Sequence, residues 1–199
     1  EQVHIQVTLP TNRTWADGPA FKKDFLNFVS LYLRQEAGEY EKNLLLNSMQ
    51  TALSRAHAAA RYPAVIRLYQ AEVYLLQGKR EQADQMLEEA KLTILDNRDR
   101  DVSSYCYYMF LKARKSGETA KVQSMVKLLR KYYEEGVAQD MAFYILMQTD
   151  PELLENDSLA LSRLKAHFRT GCRSPYLYLG ACRLLNDSPE LLRVLEEFE

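Results

Sequence analysis

Apolar and polar residues alternate along the first residues of the chain and then settle into a longer rhythm. Val3, Ile5, Val7 and Leu9 are apolar, His4, Gln6 and Thr8 are polar, and Pro10 ends the run. A period of two is the mark of a strand with one buried face. One strand cannot satisfy its own backbone groups, and no second run of this kind follows. The segment either docks on the rest of the chain or closes a β domain that precedes it, and the second reading is preferred. Residues 1–14 are therefore assigned as strand and linker. Turn chemistry follows in "TNRTWADGPA", where Asp17, Gly18 and Pro19 predict the start of a helix.

From Ala20 onward the apolar positions recur at helical spacing, and the breakers between them are regular. One set comprises Gly38, Gly78, Gly117, Asp150–Pro151 and Ser188–Pro189. Its spacing of about 34 to 40 residues is that of helical-hairpin repeats. A second set lies between: Tyr62–Pro63, Asn97 to Asp99, Gly136, and "GCRSP" at 171 to 175. Together they predict roughly nine or ten helices in antiparallel pairs. The tetrapeptide "PELL" stands at 151 to 154 and again at 189 to 192, each time after a capping Asp or Ser. Proline suits the first helical position, where its missing N–H would have had no partner.

The clearest pair is "AEVYLLQGKREQADQMLEEA" at 71 to 90. Ala71 and Tyr74 fall on one helix, Gly78 in the turn, and Ala83, Leu87 and Ala90 on one face of the next helix. Small residues let the two helices approach while Tyr74 and Leu87 fill the space above them. These six positions resemble the tetratricopeptide repeat over residues 63 to 95. The chain departs from that pattern at Arg67, Gln70 and Leu95, where the family places tryptophan, leucine and proline. The neighbouring "LKARKSGETAKVQSMVKLL" keeps the glycine and the amphipathic second helix but loses the alanines.

The resemblance implies an all-α, right-handed α-solenoid of about four to five helical hairpins over residues 15–199; with the short N-terminal β-strand segment read from the alternation, the chain is expected to be cut from a longer parent protein in which the repeats continue. It also implies a concave face lined by the first helix of each pair. Carrying the register through Gly78, Gly117 and Asp150 places the lining on Leu68, Glu72 and Leu75, on Tyr107, Leu111 and Arg114, and on Asp140, Tyr144 and Met147. Family members clamp a terminal carboxylate with lysines and asparagines at such positions, and Leu68 and Glu72 occupy two of them here. The expected partner is instead a protein or peptide, or another domain of the same chain. It would lay an apolar edge on Leu111, Tyr144 and Met147 and a polar one on Arg114. The alternative is an architectural spacer with no ligand of its own.

Composition narrows the remaining classes. With 26 basic and 27 acidic residues the formal charge is −1, so no global field draws nucleic acid or an anionic membrane. No run of eighteen or more apolar residues spans a bilayer, and neither partner is expected. Three cysteines, Cys106, Cys172 and Cys182, are too few to staple the fold and are read as reduced thiols. Together with the lack of a signal sequence they point to the cytoplasm, although the chain begins at Glu1 rather than Met, which leaves room for a removed targeting segment.

No catalytic motif is present. His4, His57 and His167 are too scattered for a metal pair, no phosphate-cradling glycine loop or GxSxG occurs, and the Glu88–Glu89 and Glu134–Glu135 pairs diverge around their helices. No enzyme, cofactor or metal is therefore expected. One charged stretch stands out: Lys112 to Lys131 holds seven basic residues against Glu118. It reads as the solvated faces of a hairpin or as a receiver of an acidic peptide or nucleic-acid backbone.

Overall fold

Proline or a capping side chain starts several of the described helices, and glycine follows four of them. A computed structural model describes residues 63–97, 102–171 and 174–184, with isolated positions at 44, 47, 50, 51 and 193. In chain order the helices are α1 (Pro63–Leu76), α2 (Arg80–Asn97), α3 (Val102–Ser116), α4 (Thr119–Glu135), α5 (Gln139–Thr149), α6 (Pro151–Glu155), α7 (Asp157–Arg169) and α8 (Pro175–Leu184). The described residues contain no strand and are all-α. The alternating segment at Val3 to Leu9 and the breaks at Gly38 and Ser188–Pro189 lie outside them. No described helix is long and apolar enough to cross a membrane.

Each expected break inside the described range falls at a helix end. At Gly78 the backbone turns left-handed with φ 74°. The Lys79 amide then donates to the Tyr74 carbonyl at 2.9 Å and the Gly78 amide to that of Leu75 at 3.1 Å. These are the bonds that satisfy carbonyls left over when a helix stops, in a conformation glycine adopts without side-chain cost. The breakers predict a single helix between Pro151 and Gly171, and here the structure differs. Asn156 interrupts it: its side chain accepts from the Leu159 amide at 3.0 Å and starts α7 afresh. Asp150 caps the five-residue α6 in the same way through the Glu152 amide. Asn and Asp offer the backbone a local partner that competes with helix continuation.

Packing sorts the helices into two rows. α1 lies on α3, α3 on α5, and α5 on α8, so these four form an inner row. α2 packs on α1 and α3, α4 on α3 and α5, and α7 on α8, flanking that row. The α1–α2 contact is the most extensive, as the small residues predict: Ala71, Ala83 and Ala90 are fully buried, and Leu87 is 1% exposed. The inner row is apolar on more than one side. In α5 the run Asp140 to Met147 is buried without a gap, which a helix enclosed on all sides requires.

Candidate functional site

The candidate partner-binding positions follow one stripe along each inner helix. Spacings of three and four residues align Leu68, Glu72 and Leu75 on α1, Tyr107, Leu111 and Arg114 on α3, and Asp140, Tyr144 and Met147 on α5. The structure does bring these stripes together, but in the interior. Leu68, Tyr107, Leu111 and Tyr144 are fully buried, and Glu72, Asp140 and Met147 nearly so. Only Leu75 and Arg114 keep partial exposure. The open groove expected at these positions is therefore corrected to a sealed contact between helices. The same spacing that lines a concave face also lines a helix–helix seam, and the bulk of the tyrosines closes the gap.

Each inner helix contributes one buried tyrosine to the seam: Tyr69, Tyr107, Tyr144 and Tyr176. The Tyr107 ring stands edge-on to Tyr144 at 5.8 Å and to Tyr176 at 5.5 Å between centroids. Tyr144 is tilted against Tyr69 at 6.4 Å and Tyr176 at 6.3 Å. Such edge and tilted pairs suit the ring quadrupoles and add about 0.5–1.5 kcal/mol each beyond burial. Beside them Gly180 of α8 is buried, and a Cβ there would lie 3.5 Å from Met147 Cε, so α8 approaches α5 closely.

Two acids are enclosed in this apolar setting, and each is met by donors from elsewhere in the fold. The Tyr144 hydroxyl donates to Glu72 Oε2 at 2.7 Å, and Arg114 Nη1 approaches Glu72 Oε1 at 3.4 Å. Arg114 also lies over the Phe110 ring at 5.8 Å. Asp140 accepts from Ser103 Oγ at 2.9 Å and from Ser174 Oγ. Ser104 Oγ and the Tyr176 hydroxyl share a bond of 3.1 Å. An enclosed acid is costly unless paired or hydrogen-bonded, and Glu72 has both kinds of partner while Asp140 receives hydroxyl bonds. Ser103, Ser104 and Ser174 escaped the sequence reading. Their signal was present as the small polar pair that opens "SSYCYYMFL" and the serine ahead of Pro175.

A second polar contact joins α4, α5 and α7. The Tyr133 hydroxyl bonds His167 Nε2 at 3.1 Å, and the imidazole packs against Phe143 at 5.2 Å. Burial pushes the Tyr133 phenol above its usual pKa, with Arg163 opposing, while burial and then Arg163 hold His167 below its own. Both effects favour a neutral pair. Among the described residues no three His, Cys, Asp or Glu converge as metal ligands. Cys106 is buried.

No curated protein and no solved structure gives a significant match to the chain. A family does match, over residues 2–199, and it is described as the N-terminal part of a family of unknown function, DUF5717. With the match running through every described helix, the chain belongs to that DUF5717 N-terminal family.

Proposed function

We propose that the chain is a non-catalytic, tetratricopeptide-like helical module that holds neighbouring domains or a partner in fixed relation. In this reading α1–α2, α3–α4 and α5–α7 are successive hairpins of a right-handed solenoid, and α8 opens the next. The observation that carries it is the inner row, in which every first helix of a pair lies on the first helix of the next. Hairpins of this size cannot bury their apolar faces alone, and stacking supplies the core. The enclosed acids favour architecture over a ligand groove on the inner stripe, because Glu72 and Asp140 are already engaged by other helices. A partner then meets the module elsewhere on its surface.

Small-angle scattering tests the reading. A compact chain of 199 residues has a radius of gyration of about 16 Å. A stacked array is longer than it is wide and should exceed that clearly, with an asymmetric distance distribution. A value at the compact figure with a symmetric distribution would rule the solenoid out.

A further inference from the structure

The sequence segment richest in lysine folds around a cleft. α3 ends at Ser116, the chain reverses at Gly117, and α4 begins at Thr119. Between the two helices lies a cleft of about 640 Å3, with Met109, Ala113 and Met125 among the apolar residues lining it and Lys112, Lys115 and Lys121 as its cations. No acidic residue lines it. Tyr105 and Leu128, 39% and 38% exposed, continue the apolar stripes of α3 and α4 away from the turn.

We propose that this cleft docks an acidic amphipathic peptide segment of a partner protein. The proposal rests on the module reading and gives that module's partner its chemistry. Charge complementarity selects the occupant. Lys112 lies over the Tyr108 ring at 5.6 Å, a contact that leaves its ammonium able to meet a carboxylate. Lys121 is held at 3.0 Å by Glu118 with both side chains 59% exposed, and a solvent-exposed pair of this kind costs little to exchange for an incoming acid. Lys115 is paired with Asp84 and adds no free charge. The apolar lining then separates a peptide from a nucleic-acid strand. Two thioethers and a methyl group receive Leu or Phe side chains spaced three and four apart on a helix, and methionine adapts its shape to them. A nucleic-acid backbone would engage the lysines but leave the methionine side chains that line the cleft unused.

The test uses the full chain carrying 13C-methyl methionine. The probe is a synthetic helix of about 15 residues with leucine on one face and glutamate on the other, beside a twin with lysine for glutamate and an oligothymidylate. The acidic probe should shift the Met109 and Met125 methyl signals and leave Met141 and Met147, which are buried, unmoved. Its affinity should fall about fivefold or more in K112E/K121E, and likewise in M109A/M125A, with thermal melting of the charge variant unchanged. No shift at Met109 and Met125 up to about 1 mM probe would overturn the proposal. So would equal binding of the basic twin, or equal or tighter binding of the oligothymidylate at the same methyls. These outcomes leave the scattering result untouched, so the docking site and the module reading fail separately.

Discussion

A hydroxyl that reaches a buried carboxylate contributes more than one that reaches another hydroxyl, and the inner seam contains both. Tyr144 bonds the Glu72 carboxylate and Tyr176 bonds Ser104, each ring being almost wholly enclosed. Removing a hydrogen bond to a charged group costs about 1.5–3 kcal/mol, and a neutral one about 0.5–1.5 kcal/mol. Tyr144→Phe should therefore destabilise roughly twice as much as Tyr176→Phe in urea titrations. Equal losses would mean that Glu72 does not depend on Tyr144. At this scale the sequence was partly legible. Gly78, Asp150 and Pro151 announce their roles because φ, capping and the missing amide hydrogen are local properties. The pairing of Glu72 with Tyr144 is not local, and nothing near either residue names the other.

Helices were the most legible scale, since their breakers and apolar period are both written into short windows. The α1–α2 hairpin shows how far that goes: Ala83 is fully buried and Glu81 exposed, as the face assigned from spacing requires. Ala83→Leu should overpack the contact with α1 and cost about 1–3 kcal/mol, while Glu81→Leu should stay within about 0.5 kcal/mol. Equal thermal shifts for the two would contradict that face. Illegible at this scale was the difference between a stripe that faces solvent and one that faces another helix. The run "MAFYILM" at 141 to 147 carried the clue, because a helix apolar on every side has no face left for water.

At the scale of the whole molecule the order of hairpins follows from the breakers, but the closeness of the inner row follows from side chains that sequence spacing cannot rank. Tyr107, Tyr144 and Tyr176 stand where a concave lining would be drawn or just beyond it, and the edge-on fit of Tyr107 against the other two draws the helices shut. The hydrogen bonds of the seam also reach farther than one step. Glu72 of α1 meets Tyr144 of α5 past the intervening α3, and Ser104 of α3 meets Tyr176 of α8 past α5. Repeat arrays coupled only between adjacent units fray from their ends and lose cooperativity as they lengthen. Here two bonds link helices on either side of an intervening one, so the described helices should unfold together rather than pair by pair. Urea unfolding followed by far-ultraviolet dichroism and by tyrosine fluorescence should give coincident transitions, and separated midpoints would show the units coming apart singly. A seam that reads as packing in the folded state should thus, under stress, make the helices from Pro63 to Leu184 be kept or lost together.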